Sequence, residues 1–242
     1  MNKKSLGIIG FGQLGNFISK HLSPHFEISV FDTKDKSKEA ETMGVKFTNL
    51  EEAASKEIVI VSVPINAFEN TIEKINPFLK KGTILIDVCS VKEKPSEIMQ
   101  RLVSKEVDII ATHPLFGPQS GAKGIKGLKI VVFPIRTNRI NKIINFLEDI
   151  ELKVVIADPK KHDEDSAFTG LLAHFIGKAL VNMSIENKEI SEPSFLKLAE
   201  LKNIVEKDSD ELFRDIQKNN NFSKEMRRRF IEELQNIDKS LD

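Results

Sequence analysis

Over roughly the first two-thirds of the chain, short β-rich apolar runs alternate with stretches in which apolar side chains recur every three to four positions. The runs at residues 6–10, 26–31, 58–63, 84–88, 107–111 and 130–133 are too short for helices. The nearly continuous hydrophobicity of 58–63 over so few residues is the mark of a strand covered on both faces, as in a parallel sheet, and 84–88, 107–111 and 130–133 repeat that form. Between them the spacing predicts helices over 13–22, 67–79, 94–103 and 139–147. This alternation predicts a doubly wound, mainly parallel α/β sheet of the Rossmann type. One more short strand is expected at 153–156, and from His162 onward the spacing is helical with hardly any strand signal. The boundary is therefore expected near Pro159, giving an α/β domain over 1–158 and an all-helical domain over 159–242. Glu192-Pro193-Ser194 and Lys207-Asp208-Ser209 read as breaks with N-caps, and 219–223 as a polar turn before a last helix over 224–241. So small a helical domain makes a thin core, so part of its apolar surface is expected to meet the first domain or a second copy.

Composition narrows the chemistry. The 36 basic and 36 acidic side chains cancel, so no whole-molecule field draws in nucleic acid or an anionic membrane. No apolar run approaches the roughly 18 residues that span a bilayer, and Met1-Asn2-Lys3-Lys4-Ser5 leads directly into a strand. A lone cysteine, Cys89, excludes an internal disulfide framework and favours a reducing, cytoplasmic setting. With no Tyr and no Trp, proton transfer must come from His, Lys or a carboxylate.

Gly10-Phe11-Gly12-Gln13-Leu14-Gly15 fits G-x-G-x-x-G between a predicted strand and a predicted helix, the context that gives the pattern its meaning. The first glycine permits the tight turn, the second lets backbone approach a pyrophosphate, and the third lets the helix pack on the strand. Asp32 ends the second strand about 20 residues on, where a carboxylate accepts hydrogen bonds from a ribose and repels a 2′-phosphate. NAD is thus favoured, with NADP left open by Lys34 and Lys36. Val63-Pro64 closes its strand at the expected ligand crevice, beside the nicotinamide ribose.

Two strand ends carry unusual polar content: Asp87-Val88-Cys89-Ser90-Val91-Lys92 and Thr112-His113-Pro114-Leu115-Phe116-Gly117-Pro118-Gln119-Ser120-Gly121. His113 directly follows a strand and is suited to take a proton from an alcohol as hydride leaves the same carbon, with Ser90 the nearest hydroxyl to orient its ring. A loop-capping role is the plainer alternative. Gly117, Gln119 and Ser120 line the loop beyond, where substrate is expected. Further on, His174 and Lys178 stack one turn apart on a helix expected to run unbroken from His162, a cationic pair suited to carboxylates. The spacing of His162 and His174, with acids clustered beside only the first, does not form a metal site.

These segments together resemble the prephenate/arogenate dehydrogenases of tyrosine biosynthesis. The glycine turn with Asp32, D-V-C-S-V-K at 87–92, T-H-P-L-F-G-P-Q-S-G at 112–121 and the stretch from His162 to Lys178 occur in that family's order. The resemblance implies NAD-linked oxidative decarboxylation of a cyclohexadienol to a phenol. It also implies that His113 takes the hydrogen bond from the ring hydroxyl, that Ser90 binds both, and that His174 holds substrate. A homodimer joined through the helical domain is implied as well. Departures are Leu171 and Ala173, where many members carry a histidine and a proline, and the lack of a late arginine for the ring carboxylate, for which Lys178 or Lys202 would substitute. With the given sequence ending at Asp242, feedback through an added regulatory domain is not expected. Neutral Gln119 leans the expectation toward prephenate over arogenate, whose ammonium would want a carboxylate partner. The rivals are a β-hydroxyacid dehydrogenase, whose Lys-Asn spacing Lys178 and Asn182 imitate, and a catalytically silent nucleotide sensor.

Overall fold

The computed structural model describes residues 3–241. The chain divides into two compact units, one through Pro159 and one from Lys160 onward. In the first unit β1 (Lys4–Ile9), α1 (Gln13–Leu22), β2 (Phe26–Phe31), α2 (Ser37–Thr42), β3 (Lys46–Phe47), α3 (Leu50–Ala54), β4 (Ile58–Val61) and α4 (Ile65–Ile75) follow one another. Then come β5 (Ile84–Asp87), α5 (Glu93–Leu102), β6 (Asp108–Pro114), β7 (Lys129–Arg136), α6 (Ile140–Asp149) and β8 (Lys153–Ile156).

The strands form one sheet in the order β3-β2-β1-β4-β5-β6-β7-β8, parallel except where β6 meets β7. Alternate residues of a strand feed opposite layers. Ile9, Val59 and Val61 join Phe68, Ile72 and Met99 on one face, while Leu6, Ile8 and Ile60 join Ile28 and Val30 on the other. All four residues of β4 are buried, which explains its unbroken apolar run. The chain winds outward from β1 to β3 and returns to β4, so the winding direction reverses between β1 and β4, where open α/β sheets bind ligands.

Three short elements escape the hydrophobic pattern: α2, β3 and α3. The third is set by a cap, the Asn49 side chain accepting from the Glu52 amide at 2.8 Å. The strand expected to reach Val63 stops at Val61, because Pro64 caps α4 and has no N–H for a ladder. β6 runs further than expected and takes in His113 and Pro114, because β7 pairs with it from the other side.

The second unit contains α7 (Pro159–Ser166), α8 (Leu172–Asn182), α9 (Pro193–Val205), α10 (Asp210–Asn219) and α11 (Ser223–Lys239). Ala167, Leu171, Ile216 and Met226 make its small core, with Phe175 and Phe222 against them. The helix expected to run unbroken from His162 to Lys178 is corrected here. Residues Ala167–Leu171 form a π-helical turn between α7 and α8. The wider turn is held by side chains: Gln217 donates to the Leu171 carbonyl at 2.7 Å, and Thr169 Oγ1 to the Asp165 carbonyl at 2.8 Å. No helix among the described residues is long and apolar enough to cross a membrane.

Candidate active site

The turn between β1 and α1 has the geometry of a phosphate cradle. Gly10 adopts φ +97°, which only glycine tolerates well, and a Cβ there would lie 2.2 Å from the Ser62 carbonyl oxygen. A Cβ at Gly15 would lie 2.0 Å from the Gly10 carbonyl oxygen, so the third glycine is what lets α1 sit on the turn. Gly12 is different. It occupies the N-cap of α1 with no side-chain cap, and a Cβ there would meet nothing within 4 Å. The first-turn amides of α1, including those of Gln13 and Leu14, are thus available to an anion, and the helix dipole favours one. Phe11 contributes its backbone only, since its ring is buried in the core, and Leu14 packs against the same layer.

Asp32 is anchored rather than loose. Its Oδ2 accepts from the Phe11 amide at 2.8 Å and its Oδ1 from the Lys34 amide at 2.9 Å. Each oxygen keeps a further lone pair for a ribose hydroxyl, so residues 10–15 and Asp32 fit a dinucleotide. Val63 and Pro64 stand at the carboxyl end of β4, immediately across the point of reversal.

Ser90 lies in the turn after β5, and His113 near the end of β6; both are half-buried. The two strands are parallel neighbours, in register at Asp87 and Ala111, so both residues occupy one edge of the sheet. His113 pairs with Val131 of β7, which makes it a strand residue on a rigid frame. Beyond it the chain turns tightly: Ser120 Oγ accepts from the Gly117 amide at 2.9 Å, and the Gly121 amide donates to the Gly117 carbonyl at 2.8 Å. Ser120 therefore shapes the loop, while Gln119 is exposed. Gly121 leaves space for the Phe17 ring, which a Cβ there would approach to 2.5 Å.

In the helical unit, His174 and Lys178 stand one turn apart on α8, and both meet acids. His174 Nδ1 lies 3.7 Å from Asp208 Oδ2, and Lys178 Nζ lies 2.5 Å from Asp210 Oδ1. Burial raises the Asp208 carboxyl above the usual carboxylate range, with His174 opposing the shift. The hydrogen bond and charge of Lys178 lower Asp210. The sequence pattern missed both acids as site residues, although Asp208 sits in the break it identified.

A larger omission is the buried pair Asp87–Lys92. Both side chains are fully buried, with Lys92 Nζ 2.5 Å from Asp87 Oδ1. Burial pushes the Asp87 carboxyl up, against the pull of Lys92. The motif at 87–92 contained the signal: a lysine in an otherwise apolar run, five residues after an aspartate. A cavity of about 620 Å³ lies elsewhere, between α1, α6 and the sheet. Its walls are mostly apolar, with Lys3, Lys4, His21, His25, Arg139 and Lys142 among them, and neither Ser90 nor His113 lines it.

The chain is similar to known proteins. Residues 17–156 match the family model of the prephenate dehydrogenase nucleotide-binding domain, and 179–242 match a TYRAAT1-like C-terminal domain. A probable arogenate/prephenate dehydrogenase of Methanocaldococcus jannaschii is 32% identical over 217 residues, covering 84% of this chain and 48% of that protein. The chloroplastic arogenate dehydrogenase 2 of Arabidopsis thaliana is 30% identical over 221 residues, 86% of this chain and 62% of that one. The chain spans about half the length of the curated relatives it matches. Among solved structures, prephenate dehydrogenase from A. aeolicus in complex with hydroxyphenyl propionate and NAD+ aligns at TM-score 0.80 and 21% identity, covering 100% of this chain and 91% of that one. Synechocystis arogenate dehydrogenase aligns at TM-score 0.64 and 23% identity, covering 98% and 89%. At those identities the structures speak for the fold, whereas the sequence matches go further: this chain belongs to the prephenate/arogenate dehydrogenase family.

Proposed function

We propose that the protein is an NAD-dependent dehydrogenase that oxidatively decarboxylates a cyclohexadienol of the prephenate/arogenate type. The observation that carries this reading is the placement of Ser90 and His113 on adjacent strand ends, at the sheet edge that also bears the glycine turn and Asp32. When bound, the nicotinamide supplies the hydride acceptor. His113 takes the proton of the ring hydroxyl as that carbon becomes a carbonyl, and Ser90 orients both imidazole and hydroxyl. Carbon dioxide leaves, the electron pair of the broken C–C bond passes through the ring to the carbonyl oxygen, and that oxygen takes the proton back from His113 to give a phenol, so aromatisation supplies the driving force. The residues need only hold the ring, accept one proton and exclude water.

If His174 and Lys178 meet the substrate side chain, Asp208 beside His174 offers the acid partner that an ammonium requires. This favours arogenate, reversing the preference for prephenate drawn from neutral Gln119. The β-hydroxyacid reading loses support, because Lys178 is engaged by Asp210. A homodimer joined through the helical unit is supported by its exposed apolar side chains, among them Leu196, Leu212, Leu234 and Ile237. A cytoplasmic setting is supported by the chain's having a single cysteine, Cys89, which leaves no internal disulfide framework to form.

The test is steady-state kinetics with arogenate, prephenate and 3-hydroxyisobutyrate, each with NAD and NADP. Turnover is expected with arogenate and NAD. His113→Asn should retain NAD binding while kcat falls by about 10²–10⁴-fold. Undiminished turnover in that variant, or none with either cyclohexadienol in the parent protein, defeats the proposal.

A further inference from the structure

We infer that Lys92 is a positioning residue: its buried ammonium, paired with Asp87, holds the end of β6 that carries His113 and the turn that carries Ser90 in a common register. The inference rests on the roles proposed above for those two side chains.

Lysine is almost never fully buried, and taking two charges out of water costs several kcal/mol per ion. An apolar residue at position 92 would avoid that cost, so stability alone does not account for the pair. Asp87 is not even fully satisfied, since its Oδ2 has no hydrogen-bond partner. What the pair does is join segments. Lys92 Nζ donates to Asp87 Oδ1 at 2.5 Å and to the Thr112 carbonyl at 2.6 Å. That carbonyl belongs to the peptide whose N–H is that of His113. The same Asp87 Oδ1 accepts from the Cys89 amide at 2.9 Å, one residue before Ser90. Thr112 Oγ1 closes the ring by donating to the Asp87 carbonyl at 2.7 Å.

The need for such a tie follows from the sheet. β5 ends at Asp87, whereas β6 continues to Pro114, so past the Asp87–Ala111 pair the β6 edge has lost its ladder partner. Lys92, at the N-cap of α5, returns to that edge and supplies a donor. Its ammonium also lies 5.8 Å from the centroid of Phe133, which sits opposite Ala111 on β7. One cation thus reaches β5, β6 and β7 where two reacting side chains must be held to a fraction of an ångström.

The experiment compares Lys92→Met with the double variant Asp87→Asn/Lys92→Met. Lys92→Met strands a buried carboxylate and is expected to lower the melting temperature. The double variant removes both charges at similar volume, which restores most of the stability in comparable pairs. Its kcat is nevertheless expected to stay about 10–100-fold below the parent, with KM for NAD within about twofold, because the reacting groups are misplaced while the dinucleotide turn is untouched. The reading independent of turnover is the His113 ring resonance, assigned by its loss in His113→Asn and followed by NMR across pH. It should move in position and in titration midpoint in the double variant. A double variant that melts like the parent and keeps the parent's His113 titration overturns the inference, even if the enzyme proves to use another substrate. A parent protein inactive on both cyclohexadienols refutes the proposed function instead, and the NMR comparison still decides this one. Should the double variant not fold, Thr112→Val, which removes only the hydroxyl tie to Asp87, takes its place: a shifted His113 resonance supports the inference and an unmoved one overturns it.

Discussion

The glycine turn makes a prediction in which binding and stability separate. Gly12 has φ −74° and ψ −164°, a conformation alanine adopts freely, and its Cβ would meet nothing within 4 Å. Replacing it by alanine weakens the N-cap by about 1 kcal/mol or less, and the smaller entropy of the unfolded chain returns about 0.4–1 kcal/mol. The melting temperature should therefore stay within a few degrees, at about 2–4 °C per kcal/mol for a chain of this size. The open space at Gly12 is, however, where a pyrophosphate must approach the backbone, and a methyl group there should raise the Kd for NADH about tenfold or more, equivalent to about 1.4 kcal/mol. Gly15→Ala should behave in the opposite sense. Its Cβ would sit 2.0 Å from the Gly10 carbonyl oxygen, a backbone atom that cannot swing aside, so α1 must lift from the strand. Overpacking of that kind costs about 1–3 kcal/mol, or about 2–12 °C in melting temperature. Thermal melts and NADH fluorescence titrations of both variants make the comparison. A Gly12→Ala protein that melts like the parent and binds NADH equally well would refute the assignment of this turn as the phosphate cradle.

Two further predictions concern the helical unit. Ser209 caps α10 by accepting from the Leu212 amide at 3.1 Å, so Ser209→Ala should cost about 0.5–2 kcal/mol, read from urea unfolding; no loss would show that the cap is not needed for this helix. Asp208 ionises at higher pH in the folded chain than in the unfolded one because burial disfavours its charge. The folded state therefore holds that proton longer, and stability falls as pH rises from the ordinary carboxylate range through the raised value. Asp208→Asn lacks the penalty, so the stability of the parent relative to this variant should decline across that window and level off above it. A difference that instead grows with pH would mean that His174 outweighs burial.

The fold was legible where a local pattern and a global requirement coincide. Ile58–Val61 could only be an interior strand, since four successive buried side chains need cover on both faces. α1 was legible to its ends, because the glycine turn starts it and amphipathic spacing carries it to Leu22. The short elements α2, β3 and α3 were not, for they span too few residues to show a period, and what holds them is a cap or a two-residue pairing. The π turn at Ala167–Leu171 was hidden for a different reason: its support comes from Gln217, distant in sequence, and no helical pattern records such a partner.

The same division runs through the site. Gly10, Gly12, Gly15 and Asp32 announced themselves because each acts through its own backbone or its own strand end, which spacing encodes. Ser90 and His113 stood out as polar residues at the ends of apolar runs. Pairings across the fold left no such trace. Lys92 reaches Thr112 only because β5 and β6 are neighbours, and His174 meets Asp208 only because α8 and the turn before α10 are folded together. An ionisable side chain inside a run that is otherwise buried should thus be treated, on sequence alone, as one half of a pair. Desolvation makes an unpartnered charge there too costly to persist, so the partner must exist, and where it sits reveals which segments the chain needs to hold together. In this protein those segments are the two that carry Ser90 and His113.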